Sequence, residues 1–128
     1  MNPTVNPTST TSVLLIDDDP DIRDALSDML KHEGYLIHAV GTGREGIDRV
    51  QSTHYGAVLL DIGLPDMDGH EVARRLRSSE RMRGVKLCAL TGYGKLAERS
   101  AAFAAGFDEH LTKPVSPERL KRALEELA

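Results

Sequence analysis

The 128-residue chain lacks features that would place it in several other classes of protein. Its single cysteine excludes a disulfide within the chain and fits a reducing compartment. No apolar run approaches the roughly 18 residues of a membrane span, and residues 1–12 resemble no secretory signal. The formal net charge of -4 argues against electrostatic binding of nucleic acid. We therefore expect a cytoplasmic domain that contacts neither membranes nor nucleic acid.

The residues that are present suit one packed domain. Hydrophobic residues make up 40% of the chain, which is enough for a core, and the length leaves little room for a second domain. Residues 1–12 are mostly Thr, Ser, Asn and Pro, a composition that buries little apolar surface. We predict a flexible tail or linker over residues 1–12 and one domain over residues 13–128.

Short apolar runs alternate with segments of helical spacing along this domain. The runs, predicted as strands, cover residues 13–16, 36–40, 57–60, 85–90 and 108–111. The predicted helices cover residues 20–33, 44–52, 70–79, 95–105 and 117–127. Continuous apolar strands are typical of a parallel sheet covered on both faces. With right-handed crossovers, the pattern predicts a doubly wound α/β fold with a five-stranded parallel sheet.

Polar residues follow four of the five predicted strands. Ligands bind to such a sheet at the carboxyl ends of its strands. The residues that follow strands one, three, four and five are, in order, Asp17–Asp18–Asp19, Asp61, Thr91 and Lys113. Clustered carboxylates repel one another unless a cation lies between them, and an oxygen-only cluster suits Mg²⁺. An ammonium and a hydroxyl bind phosphoryl oxygens, so the edge predicts Mg²⁺-assisted phosphoryl transfer to a carboxylate.

Four motifs make the chain similar to a known family. They are VLLIDDDP at residues 13–20, LLDIGLPDMDG at 59–69, ALTGYG at 89–94 and HLTKPV at 110–115. In this order and spacing they resemble the response-regulator receiver domain of two-component signalling, over residues 13–128. The resemblance implies the (βα)5 flavodoxin-like receiver fold. It also implies that a histidine kinase or a histidine phosphotransfer protein donates a phosphoryl group to the domain, which then acts on an unknown downstream target.

The resemblance assigns a role to each matching acidic residue. Asp61 matches the aspartate that accepts the phosphoryl group. Asp17 and Asp18 match the acidic pair that holds Mg²⁺, together with Asp61 and the main-chain carbonyl of Gly63. The domain is then expected to catalyse only its own phosphorylation and dephosphorylation, rather than to act as an enzyme on other substrates.

The remaining matches concern the response to phosphorylation. Thr91 matches the hydroxyl residue that swings toward the phosphoryl group, and Lys113 matches the lysine that contacts it. The Lys113–Pro114 peptide bond is expected to be cis. His110 occupies a position that is often Tyr or Phe in the family, so its role as a switch residue is an open prediction. The surface expected to shift comprises the fourth predicted helix, the fifth strand and the fifth predicted helix.

Simpler structural roles compete with these assignments. Asp19 is predicted to cap the first helix, ahead of Pro20, and the same role is open to its two acidic neighbours. Thr91 alone suits an ordinary strand end. Asp68 is predicted to start a helix, and Cys88 to be a small core residue.

Other functions remain as alternatives. One is a pseudo-receiver that binds partners without phosphorylation. A haloacid-dehalogenase-like phosphatase would use Asp17, Asp19, Thr91 and Lys113, but it would leave Asp61 without a role. A flavodoxin-like FMN site would need a first loop free of repelling aspartates. Within the receiver family, the sequence favours a module of a hybrid sensor kinase, with a stand-alone regulator lacking an output domain as the alternative.

Overall fold

The computed structural model describes residues 11–92 and 106–125. The fourth predicted helix, residues 95–105, lies outside these ranges. The strands are β1 (Ser12–Ile16), β2 (Leu36–Val40), β3 (Ala57–Asp61), β4 (Lys86–Gly92) and β5 (Glu109–Lys113). The helices are α1 (Pro20–His32), α2 (Gly43–Ser52), α3 (Gly69–Arg77) and α4 (Pro117–Glu125), with a 3-10 turn at Glu80–Met82. Helix α4 corresponds to the fifth predicted helix.

The five strands form one parallel sheet in the order β2-β1-β3-β4-β5. The chain moves outward from β1 to the β2 edge and then crosses to β3 on the other side of β1. This reversal opens a crevice between the carboxyl ends of β1 and β3, where such sheets bind ligands. The predicted doubly wound, five-stranded parallel fold is confirmed.

Two hydrophobic clusters cover the two faces of the sheet. Alternate side chains of β1 supply both, since Leu14 and Ile16 face one cluster while Val13 and Leu15 face the other. Helices α2 and α3 pack on the first face, and α1 and α4 pack on the second. Burial on both faces explains why the central strands are continuous apolar runs. Cys88 lies fully buried in the second cluster, as predicted.

Local sequence signals set the ends of α1. The Asp19 carboxylate accepts hydrogen bonds from the N–H groups of Asp21 and Ile22, at 2.9 and 3.4 Å, so the predicted cap is confirmed. At the other end, Gly34 has a φ of 93°, and its N–H donates to the Lys31 carbonyl at 3.0 Å. Glycine tolerates this left-handed backbone without the steric penalty that other residues meet.

Four strands, β1, β3, β4 and β5, are longer than predicted, and this changes the placement of the functional residues. Ser12, which we predicted as the last residue of the tail, opens β1, because its backbone continues the ladder with Leu36. Asp61 and Lys113 are the last residues of β3 and β5, and Thr91 lies inside β4. These three side chains therefore stand on hydrogen-bonded strands rather than on the loops that follow.

The helices were also compared with the length and hydrophobicity that a membrane span requires. Among the described residues, none of them meets both requirements.

Candidate functional site

The carboxyl edge of the sheet brings together residues from three strands. Asp17 directly follows β1, and its N–H donates to the Val40 carbonyl at 3.1 Å, which continues the ladder toward β2. Asp61 ends β3 opposite Leu90 of β4. Lys113 ends β5 opposite Gly92 of β4. Parallel pairing thus holds these side chains at one end of the sheet, although they are distant in sequence.

Asp17, Asp61 and Lys113 form a buried ion-pair cluster. The Lys113 Nζ lies 2.9 Å from Asp17 Oδ2 and 3.3 Å from Asp61 Oδ2. Asp17 is fully buried, and Asp61 is 7% exposed. One partly buried ammonium therefore faces two buried carboxylates. The second carboxylate leaves an excess of negative charge that another cation would offset.

Burial and neighbouring charges change the pKa values of two members of this cluster. Burial raises the pKa of the Asp61 carboxyl, and the Asp17 charge adds to this effect. The Gly63 N–H and the Lys113 ammonium oppose it without cancelling it. Burial alone would lower the pKa of Lys113, but its hydrogen bond to Asp17 and the two carboxylate charges raise it above its usual value. Lys113 therefore stays charged at neutral pH.

The carboxylates of Asp17, Asp18 and Asp61 form a set of oxygen donors suited to a divalent cation. One carboxylate oxygen from each lies within 4.8 Å of the others. Two of the three residues are buried, whereas Asp18 is exposed and leaves the cluster open to solvent. Mg²⁺ prefers a few carboxylate oxygens and retains several waters, so these residues fit that ion. The charge excess beside Lys113 supports the same fit.

Gly63 lies next to the proposed acceptor. Its N–H donates to Asp61 Oδ1 at 3.0 Å, which holds the start of the β3–α3 loop against the carboxylate. A side chain at this position would approach Asp61 Oδ1 to 3.7 Å, an ordinary contact distance. The glycine therefore leaves space beside the carboxylate. The predicted use of its carbonyl as a metal ligand stays a prediction.

Thr91 and His110 are both buried, at 2% and 7% exposure. Within residues 11–92 and 106–125, the Thr91 hydroxyl has no hydrogen-bond partner. A buried hydroxyl without a partner is costly, so it is suited to bind an added oxygen-rich group. His110 lies in β5 opposite Ala89, and its switch role stays a prediction. The Lys113–Pro114 peptide bond is cis.

Asp66 contributes to this region and was not singled out in the sequence. Its Oδ1 accepts a hydrogen bond from Gly43 N at 2.9 Å, and its Oδ2 accepts one from Arg44 N at 3.2 Å. Slight burial would raise the pKa of this exposed carboxyl, but the N–H groups of Gly43 and Arg44 hold it below its usual value. Asp68, in contrast, caps its own helix α3 through His70 N at 2.9 Å, as predicted. Gly43 and Arg44 lie 23 and 22 residues before Asp66 in the sequence, so a local sequence pattern could not identify Asp66 as a partner of α2.

An apolar cavity of about 410 Å³ adjoins the ion-pair cluster at Lys113. Ile22, Ala25 and Met29 of α1 line one side, and Pro114 and Val115 line the other. The acidic site therefore has an apolar surface at its rim.

Comparison with known proteins identifies the family. The family model described as the response regulator receiver domain matches residues 13–125. The chain belongs to this family. The structure accordingly assembles an acidic cluster typical of receiver domains at the place where the motifs predicted it.

Curated relatives show the same similarity. An uncharacterized 14.6 kDa protein of Leptolyngbya boryana is 34% identical over 114 residues, which cover 89% of this chain and 87% of that protein. Response regulator MprA of Mycolicibacterium vanbaalenii is 37% identical over 108 residues, covering 84% of this chain and 46% of that protein. The chain thus spans less than half the length of that regulator.

Solved receiver structures are similar over nearly the whole chain. The receiver domain of a sensor histidine kinase from Pseudomonas aeruginosa, with magnesium in its active site cleft, is 29% identical with a TM-score of 0.86, covering 93% of this chain and 98% of that one. A chemotaxis response regulator of Vibrio cholerae is 26% identical with a TM-score of 0.88, covering 94% of this chain and 100% of that one.

Proposed function

We propose that this receiver domain accepts a phosphoryl group on Asp61 in a two-component phosphorelay. The observation that carries the proposal is the buried cluster in which Lys113 pairs with both Asp17 and Asp61. Such a cluster supplies a carboxylate acceptor, a counter-charge for the incoming phosphoryl group and donors for a metal ion. Asp17, Asp18, Asp61 and the Gly63 carbonyl would hold Mg²⁺, which, when bound, offsets the negative charge of the transferring group.

The proposed transfer makes one bond and breaks another. A carboxylate oxygen of Asp61 attacks the phosphorus of a phosphohistidine, and the P–N bond breaks. The imidazole leaves with the electron pair and takes up a proton, while an acyl phosphate forms on Asp61. Water later attacks the phosphorus, which returns the carboxylate and releases inorganic phosphate. The domain would in this way catalyse only its own phosphorylation and dephosphorylation.

Lys113 and Thr91 would stabilise the new phosphoryl group. The Lys113 ammonium already lies 3.3 Å from Asp61 Oδ2, within reach of an oxygen bound there. The buried Thr91 hydroxyl would gain the partner it lacks among the described residues. These new bonds would favour one arrangement of the proposed switch surface, the fourth predicted helix, β5 and α4, over another, which is how a local charge change shifts a population. His110, buried in β5, is the proposed switch residue.

The phosphodonor is proposed to be a histidine kinase or a histidine phosphotransfer protein. Its phosphohistidine lies on a protein surface, so that surface must cover the rim of the site. The apolar cavity between α1 and Val115, lined by Ile22 and Met29 among others, offers burial to such a partner. We propose a cytoplasmic location, consistent with these partners, and either a hybrid-kinase or a stand-alone context.

The first test is intact mass after incubation with Mg²⁺ and acetyl phosphate. We expect one added phosphoryl group on the wild type, none on Asp61→Asn and none when EDTA removes Mg²⁺, because acceptor and metal are both required. Asp48→Asn, which changes an exposed carboxylate on α2, is the matched control and should accept the group normally.

Two results would contradict the proposal. Equal labelling of Asp61→Asn would show that a residue other than Asp61 accepts the phosphoryl group. No labelling of the wild type, together with no Mg²⁺ binding, would favour the non-phosphorylated pseudo-receiver.

A further inference from the structure

The loop between β3 and α3, residues 62–68, is closed at its base. The Gly69 N–H donates to the Ile62 carbonyl at 3.1 Å across the neck of the loop. A side chain at Gly69 would come within 2.5 Å of Ile62 Cα and 2.7 Å of its carbonyl oxygen. The backbones of Ile62 and Gly69 are therefore in direct contact, so the first and last residues of the loop lie side by side.

The tip of this loop is attached to a different helix. The first-turn N–H groups of a helix have no partners within the helix and need external acceptors. Two of those of α2, on Gly43 and Arg44, donate to the Asp66 carboxylate at 2.9 and 3.2 Å. The next, on Glu45, donates to the Thr42 hydroxyl at 3.1 Å. Asp66 thus supplies a second cap to α2, and its negative charge lies at the positive end of the helix.

Close packing reinforces this attachment. A side chain at Gly43 would approach Val72 Cγ2 to 2.7 Å, and Leu64 Cδ1 and Met67 Cβ to 3.5 Å each. The start of α2 therefore rests directly on the loop and on α3. Leu64 is 8% exposed and belongs to the hydrophobic cluster on that face of the sheet.

Gly63 lies between two fixed points of the chain. Before it, Asp61 ends β3 and accepts the Gly63 N–H at 3.0 Å. After it, Leu64 is packed in the core and Asp66 is bonded to α2. Gly63 has no side chain that could anchor it, so the position of its carbonyl depends on how these neighbouring residues are held.

We propose that Asp66 is a positioning residue for the metal site, which fixes the Gly63 carbonyl by anchoring the loop to α2. The inference rests on the proposed function, since it assigns Mg²⁺ to that carbonyl and the neighbouring aspartates. Groups that orient metal ligands without touching the metal change metal affinity by about 10- to 100-fold when they are removed.

The test is an NMR titration of the metal-free protein with MgCl₂, which reports the fold and weak binding together. We expect Asp66→Ala to raise the Mg²⁺ dissociation constant about tenfold. Asp66→Asn retains one oxygen acceptor and should show a smaller increase. Because the defect is in metal affinity, saturating Mg²⁺ should restore the rate of phosphoryl acceptance from acetyl phosphate to the wild-type value.

Thr42→Ala is the matched control, because it removes the other cap of the same helix and leaves the loop attached. We expect its Mg²⁺ affinity to stay within about twofold of the wild type. An unchanged affinity in Asp66→Ala, or an equal loss in Thr42→Ala, would overturn the inference. If Asp66→Ala does not fold, Asp66→Asn decides by the same criterion. A wild type that binds no Mg²⁺ would instead overturn the proposed function.

Discussion

The aspartates at the acidic site and those at the helix starts have opposite relations to their surroundings. Asp61 is buried beside a second carboxylate, and burial raises its pKa. Asp68 is exposed at the start of α3, where the His70 N–H lowers its pKa, and Asp66 is likewise held below its usual value by the N–H groups of α2. Negative charge stabilises the helix starts, whereas in the acidic site the buried negative charge destabilises the folded protein. A bound cation would remove this destabilisation, so the site favours cation binding.

The largest expected effect comes from removing the Lys113 ammonium, which pairs with both buried carboxylates. Lys113→Met should lower the free energy of unfolding by about 3 kcal/mol in the absence of Mg²⁺, because two buried carboxylates lose their counter-charge. Lys121→Met is the control, since its Nζ lies 3.7 Å from Glu33 Oε1 on the surface. That change should cost less than about 0.5 kcal/mol. Urea unfolding measures both, and equal losses would remove the distinction between the site and the surface.

A smaller effect, of opposite sign in the two regions, is expected when one carboxylate is neutralised. Asp61→Asn should raise the free energy of unfolding of the metal-free protein by about 1 kcal/mol at neutral pH, because it removes a buried charge. Asp68→Ala should lower it by about 1 kcal/mol, because α3 loses its cap. Urea unfolding of the two variants beside the wild type gives both signs. A loss of stability in both would show that the Asp61 charge stabilises the folded state.

The smallest expected effect is the pH dependence of the stability gain of Asp61→Asn, which urea unfolding at several pH values measures. The folded-state pKa of Asp61 is raised, so the folded protein binds its proton more tightly than the unfolded chain does. Its contribution therefore favours folding at low pH and is lost as the pH rises through the interval between the unfolded and folded pKa values. The stability gain of Asp61→Asn should accordingly shrink as the pH falls through that interval. If the stability gain of Asp61→Asn does not change with pH, its cause is packing rather than the removal of a charge.

Capping residues of α2 illustrate how far the sequence could be read. Thr42 stands three residues before Glu45, a local spacing that is typical of a helix start. In the structure the Glu45 N–H donates a hydrogen bond to the Thr42 hydroxyl. Asp66 bonds to the same turn of the same helix, but 22 and 23 residues along the chain. No periodicity relates residues so far apart, because their contact depends on the path of β3 and its loop.

The functional residues divide in the same way. Asp17, Asp61, Thr91 and Lys113 could be assigned to one sheet edge, since each stands at the end of an apolar run and parallel strands end together. Strands β3, β4 and β5 end one or two residues later than predicted and so include Asp61, Thr91 and Lys113, which only the hydrogen-bonded register could show. Polar residues at strand ends do not continue the apolar run, so a hydrophobicity pattern ends too soon.

The sequence by itself determined the alternation of strands and helices, the parallel sheet, the local cap at Asp19 and the edge that carries the acidic residues. Each of these follows from the spacing of neighbouring residues, which the backbone geometry of a helix or a strand converts directly into structure. Tertiary structure alone decided that Lys113 pairs with Asp17, that Asp61 is buried, and that Asp66 joins the β3–α3 loop to α2. These depend on which segments the crossovers bring together, because charges and hydrogen-bond donors act through space and not along the chain.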